Sequence, residues 1–484
     1  MLVPLLFAAV AAAVPSDPDT SPITVSKDTP RSAGAAVLHP FLTVTGDLAL
    51  YDPNLTTSVN GTFVPAVSGD FPYYLSIGPS FFESYATLPN TKFIHGFNLG
   101  KNDTAAMKSL LATIPLACKA LKDGKLAHWE LGNEPDLFKT TKPYSVRPAN
   151  WNESDYVHDW RAKERIIKRK LTQSCPELAE GSSYSYIGPS FAGLEYSLDA
   201  VKTWRSGLNS DHNIALNSMH NYIGGAEEPG VTLRRTLMNH TSTVDSVAQH
   251  VNLSRALSAE GLADVPYILG ETNSLYHQGK PGLSNSFGAA LWGVDFNLYC
   301  ASQSIRRVHM HQGTDYRYAA WQPVDTNKTT LGTKPPYYGN IMVAAMLRGN
   351  GAEGRDGEVR VVHLAMPRET EAAYAAYVDG RLARIAVVNL QQFNSTGATD
   401  RPTTRYRFQV PPSSTPALSL QRLLANGSDA LSGISWDGWS YNYELKDGAP
   451  VRLRNVTVGE TVAVDPRGVV ELEMPWSSAA ILNL

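Results

Sequence analysis

Between about residue 70 and residue 345, short apolar runs alternate with stretches of helical periodicity. The strand-like runs are Tyr74–Ile77, Lys92–Asn98, Leu126–Leu131, Tyr184–Ile187, Ile214–Met219, Pro266–Leu269 and Ile305–Met310. One amphipathic helix is predicted to open at Asp103-Thr104, with Leu110, Leu111, Ile114, Ala117 and Leu121 at helical spacing. It closes before Gly124 and carries a kinking Pro115. A second opens near Ser154 and aligns Tyr156, Trp160, Ile167 and Leu171 on one face. Strand–helix alternation of this length predicts parallel βα units, with a (β/α)8 TIM barrel ahead of an open doubly wound sheet.

Beyond about residue 350 the periodicity changes. Val359–Leu364, Ala383–Leu390, Arg405–Val410 and Ala479–Leu484 are apolar or alternating runs separated by turns, with no long helix between them. This predicts a C-terminal β-sandwich. The expected organisation is a signal peptide over 1–16, and a mobile N-terminal segment over 17–45 with room for one sandwich strand. The catalytic barrel follows over 46–347 and the β-sandwich over 348–484.

Composition narrows the function. Of 484 residues 43% are hydrophobic and 18% charged, and 42 Lys+Arg against 45 Asp+Glu give a formal charge of −3. Such a balance supplies no basic field for nucleic acid or a highly sulfated polymer. Met1 to Val14 is apolar, too short to span a bilayer, and followed by a polar stretch, which predicts a cleaved export signal. No other run is long and apolar enough to anchor the chain in a membrane. Ten Asn-x-Ser/Thr sequons (Asn54, Asn60, Asn102, Asn152, Asn239, Asn252, Asn327, Asn394, Asn426 and Asn455) fit a secreted, N-glycosylated protein. Three cysteines, Cys118, Cys175 and Cys300, allow at most one disulfide.

The candidate chemistry sits at two strand ends. His128-Trp129-Glu130-Leu131-Gly132-Asn133-Glu134-Pro135 ends a strand in a polar turn, and the C-terminal strand ends of a barrel face its active site. Glycoside hydrolysis needs a carboxylic acid to protonate the leaving oxygen, and an adjacent amide such as that of Asn133 can hold the sugar 2-hydroxyl. Tyr267-Ile268-Leu269-Gly270-Glu271 ends in a second carboxylate. The separation, 271 − 134 = 137 residues, accommodates three βα units, placing Glu134 on the fourth strand and Glu271 on the seventh. Facing each other across the mouth, they fit the roughly 5 Å carboxyl separation of a retaining glycosidase. His309-Met310-His311 is a weak metal signal without nearby acids or cysteines. His128, Trp129 and His220 fit either a pocket lining or the interior.

Gly78–Ser84, Thr91–Gly100, Trp129–Pro135 and His220-Asn221-Tyr222 resemble fungal members of glycoside hydrolase family 79, the β-glucuronidase and heparanase family. The resemblance runs from about residue 46 to the C-terminus. It implies an exo-acting retaining β-glucuronidase that removes terminal glucuronate, with or without a 4-O-methyl group, with Glu134 as acid/base and Glu271 as nucleophile. Tyr222, ending the sixth strand, would hydrogen-bond the nucleophile; Tyr276 and Tyr338-Gly339 would receive the glucuronate carboxylate. No cofactor or metal is implied, and the partner is a carbohydrate. A heparanase-like endo-enzyme and an inactive carbohydrate-binding homologue are the alternatives. Fewer than about sixty residues lie between the signal and Tyr73, a stretch short enough to predict a barrel lacking about one βα unit.

Overall fold

The computed structural model describes residues 21–29, 34–36, 41–44, 49–62, 74–140, 145–313, 315–349, 358–397, 400–411 and 416–484. The expected signal peptide lies outside the described residues.

A parallel sheet forms the centre. Its strands, in spatial as well as sequence order, are β1 (Phe41–Val44), β2 (Lys92–Phe97), β3 (Leu126–Leu131), β4 (Tyr186–Phe191), β5 (Ile214–Gly225), β6 (Tyr267–Tyr276) and β7 (Val308–Met310). Sequential neighbours pairing in parallel is the consequence of a helix or loop returning the chain over the outer face after each strand. The sheet curls until its edge strands β1 and β7 have Cα atoms within 8 Å of each other, although no hydrogen-bonded ladder joins them among the described residues. Inside the curl, Ile94, Ile187, Leu216 and Ile268 from four strands make a small apolar floor.

Seven strands pair among the described residues, against eight in a complete barrel, so Glu134 follows the third strand rather than the fourth and Glu271 lies on the sixth rather than the seventh. Their three-strand separation is unchanged. Tyr222 likewise belongs to the fifth strand and sits inside it, since β5 runs on to Gly225. Tyr74–Ile77 is not a strand of this sheet. It pairs with Ala49–Tyr51 and Val59–Thr62 in a separate three-stranded sheet, because four apolar-alternating residues carry no information about which partner covers them. Phe41–Val44, ahead of the expected start at residue 46, pairs with β2 instead. The segment expected to be mobile supplies strands as well: Ile23–Thr24 pairs with Thr403–Gln409 and Gly34–Ala36 with Val359–Leu364.

The predicted helices form at the expected places. Helix α1 (Thr104–Leu121) is capped by the Asp103 carboxylate, which accepts from the Ala106 N–H, and contains Pro115. Helix α2 (Glu153–Ser174) starts on a reciprocal capping box between Asn152 and Asp155. Both bury apolar stripes against the sheet, and the Cys118–Cys175 disulfide ties the end of α1 to the residue closing α2. Cys300 is a free, buried thiol. No helix among the described residues is long and apolar enough to cross a membrane.

The C-terminal β domain packs on helices α3 (Phe287–Ser302) and α4 (Pro336–Leu347). Strand Glu371–Val378 is buried along its whole length. Its Ala373, Ala375 and Tyr377 face the core shared with strands Thr403–Gln409 and Val469–Pro475, whereas Ala372, Tyr374 and Ala376 join the core shared with the helices. Burial on both faces is why this run lacks the polar alternation of an exposed sheet.

Candidate active site

The site is built at the C-terminal ends of β3, β5, β6 and β7. After β3 the chain turns through Gly132, which adopts φ +88° and lies so close to Leu99 that a Cβ would sit 2.8 Å from its side chain. Glu134 itself is left-handed (φ 50°), and its N–H donates to the Ser190 carbonyl at the end of β4 at 2.9 Å. A non-glycine residue held in this conformation marks a side chain whose direction is fixed by its surroundings.

Strands β5 and β6 shift register between Met219 and His220, so that His220 pairs with Glu271 rather than Gly270. Gly270 fills the offset; a Cβ there would meet the Ser218 hydroxyl at 2.0 Å. His220 Nδ1 then lies 3.0 Å from Glu134 Oε1 and 4.0 Å from Glu271 Oε2, and one atom from each of the three groups lies within 4.8 Å of the others. Tyr222 donates to Glu271 Oε1 at 2.8 Å, and His311 Nδ1, just past β7, is 3.2 Å from the same oxygen. The Tyr318 hydroxyl completes the cluster, 3.0 Å from His311 Nδ1 and 3.4 Å from the Tyr222 hydroxyl.

Electrostatics separate the groups. Burial would raise the Glu271 carboxyl, yet the charges of His311 and His220, with hydrogen bonds from His311 and Tyr222, hold it well below the usual carboxylate range. Burial opposes charge on His220, but the carboxylates of Glu271, Glu134 and Glu130 together raise it to about 9. Beneath them Glu130 is buried, accepts from Ser190 Oγ at 2.6 Å, and is raised by burial to about 7 against that bond and the charge of His220. Glu134, His220 and Glu271 also have the spacing of metal ligands.

Two carboxylates this close, one ionised and hydrogen-bonded by a tyrosine, the other on a turn beside a protonated imidazole, have the geometry of a retaining glycosidase. Residues 373–481 match the Glycosyl hydrolase family 79 C-terminal beta domain. A Beta-glucuronidase of Aspergillus niger is 60% identical over 459 residues, covering 92% of this chain and 83% of that protein. The chain belongs to glycoside hydrolase family 79. A Beta-glucuronidase of Neurospora crassa is 50% identical over 447 residues, covering 86% of this chain and 80% of its own length. The family fold is matched by the crystal structure of a 4-O-α-L-rhamnosyl-β-D-glucuronidase from Fusarium oxysporum 12S in complex with Rha-GlcA. The TM-score is 0.74 at 20% identity, over 96% of this chain and all of that one.

Within this family-79 chain the sequence-derived residues divide. Glu134, Glu271 and Tyr222 converge, and Asn133 stands beside them with a buried Oδ1 that has no hydrogen-bond partner among the described residues. Tyr276 is adjacent, its ring 6.5 Å from that of Tyr222, with its hydroxyl donated to the exposed Glu228 carboxylate. Tyr338 and Gly339 do not belong to the site. Tyr338 is fully buried, its hydroxyl donating to Asn442 Oδ1 at 2.7 Å, accepting from the Tyr441 N–H and contacting Ser440 Oγ, all in the C-terminal domain. Gly339 lets α4 approach α3, where a Cβ would lie 2.5 Å from the Ala290 carbonyl oxygen. Their physical role is packing between the two layers.

His220, read as either pocket lining or interior, and His311, read only as part of a weak metal signal, belong to the cluster, as does Tyr318, which the sequence reading did not single out. The signal for His220 was its place two residues before Tyr222 on one strand, since i and i+2 share a face. His311 ends a strand just as the glutamates do, which the metal-ligand reading of His309 and His311 obscured. Tyr318 lies in a loop and carried no periodic signal. Trp129 is an interior residue stacked on Phe97, and His128, hydrogen-bonded to Ser185, is lowered to about 4 chiefly by burial.

Proposed function

We propose that this chain is a secreted, exo-acting, retaining β-glucuronidase that hydrolyses terminal β-linked glucuronate, 4-O-methylated or not, from glycans or glycosides. The observation that carries the reading is the approach of the Glu134 and Glu271 carboxyls to within 4.8 Å around His220. Glu134 protonates the departing glycosidic oxygen while Glu271 attacks the anomeric carbon and forms a glycosyl ester. Glu134 then takes a proton from water, which displaces Glu271 and releases glucuronate with net retention. Tyr222 and His311 keep Glu271 ionised, and the Asn133 amide beside Glu134 holds the sugar 2-hydroxyl.

The hydroxyls of Tyr276 and Tyr318 supply neutral donors for the glucuronate carboxylate, binding an anion without a strong ion pair. Tyr276 is freed for this when the exposed Glu228 turns into solvent. The seven-stranded curl serves as a barrel-type glycosidase scaffold shortened by about one βα unit. Export agrees with the Cys118–Cys175 bridge, which persists in an oxidising compartment, and with nine exposed sequon asparagines; Asn239 is half-buried and caps a helix.

Release of nitrophenol from p-nitrophenyl β-glucuronide by the purified chain and by Glu271→Gln tests the reading. The substitution is expected to abolish turnover; equal rates in the two proteins would sink the nucleophile assignment.

A further inference from the structure

The loop after β4 carries a large aromatic ring that neither catalytic carboxylate uses. Tyr196 is 54% exposed, on a loop tied to the turn that carries Glu134. Two hydrogen bonds anchor the loop around it to the residue two positions beyond the acid/base: the Ala192 N–H donates to Asp136 Oδ1 at 2.8 Å, and Ser197 Oγ donates to the Asp136 carbonyl. Asp136 is fully buried. The Glu134 N–H to Ser190 carbonyl bond closes the same assembly from the other side. The Tyr196 ring is seated on Gly193, where a Cβ would fall 2.7 Å from its Cε2. A side chain at this position would collide with the ring, so a glycine here lets the ring lie close to the backbone while it stays exposed to solvent. Burial raises the Tyr196 hydroxyl, and the carboxylates of Glu134, Asp136 and Glu228 raise it further.

Glu134 stands on the leaving-group side of the bond to be cleaved, so whatever leaves must pass the loop fastened to its turn. We propose that Tyr196 is the platform of the leaving-group subsite: the ring of the aglycone, a pyranose or an aryl group, lies on this exposed side chain while Glu134 protonates the bond joining that ring to glucuronate. This rests on the assignment of Glu134 as acid/base. Both ligand types present a flat face of C–H or π character, the chemistry that an exposed aromatic ring recognises at little entropic cost.

The test compares kcat/KM of wild type, Tyr196→Ala and Tyr196→Phe on methyl β-glucuronide, phenyl β-glucuronide and a β-glucuronyl-galactose disaccharide. Tyr196→Ala is expected to lower the value for the ring-bearing substrates about tenfold relative to methyl glucuronide, and Tyr196→Phe to restore the wild-type ratio. A relative loss on the disaccharide alone assigns a sugar to the platform; a loss on the phenyl glucuronide alone assigns an aromatic aglycone. An equal change on all three substrates, or none, overturns the proposal. Wild type that releases glucuronate from none of them would overturn the glucuronidase reading itself, a result distinct from failure of the platform.

Discussion

Tyr222 donates a 2.8 Å hydrogen bond to Glu271 from the neighbouring strand, immediately after a one-residue shift in the pairing of β5 and β6. Without that shift His220 would stand opposite Gly270, and the histidine, the tyrosine and the carboxylate would not face one space. The bulge is thus the backbone feature that turns two ordinary strand ends into a charged cluster.

The depressed Glu271 carboxyl predicts a particular pH profile. Burial favours its neutral form, while His311, His220 and Tyr222 favour the anion and prevail. Replacing His311 with Asn removes one of these and should move the acid limb of kcat/KM upward by about one pH unit. Rates on p-nitrophenyl β-glucuronide between pH 3 and 8 check this; an unmoved limb would show that Glu271 does not set it.

The protonated His220 links stability to alkaline pH. Its folded value is raised to about 9 from an ordinary 6.5, so the stabilisation is complete below about 6.5 and disappears as pH climbs through about 9. Urea unfolding of the wild type should weaken across this window. Subtracting the same series for His220→Gln should remove the slope assigned to this histidine.

Tyr338→Phe separates packing from binding. The variant leaves the buried partners Asn442 and the Tyr441 N–H without their hydroxyl, at a cost of about 1–3 kcal/mol. The melting temperature is expected to fall while KM for p-nitrophenyl β-glucuronide stays within twofold. A KM rise without loss of stability would return Tyr338 to the substrate site. Gly339→Ala is expected to destabilise as well, since its Cβ would meet backbone of the facing helix.

The Cys118–Cys175 bridge encloses a chain separation of 57 residues. Its removal in a Cys118→Ala/Cys175→Ala variant should cost about 2–4 kcal/mol. Thermal unfolding of that variant, and of the wild type with and without reductant, measures it. Identical melting in all three would mean that the bridge is not formed in solution.

The sequence by itself determined the parallel α/β region, the C-terminal β domain, both capped helices, and the pair Glu134 and Glu271. These are legible because periodicity, capping chemistry and strand-end placement are local. The 137-residue interval carried the relation between the glutamates, as three βα units separate them whichever strand is counted first. Tertiary structure alone decided the rest. The partner of a short strand is set by what covers it, so Phe41–Val44 entered the central sheet and Tyr74–Ile77 did not. His311 joined the site because β7 pairs directly beside β6, and Tyr318 because the loop after β7 folds back over the Tyr222 and His311 side chains, partners that no local pattern encodes. Tyr338 left it because the C-terminal domain, more than a hundred residues further along, offers its hydroxyl better partners.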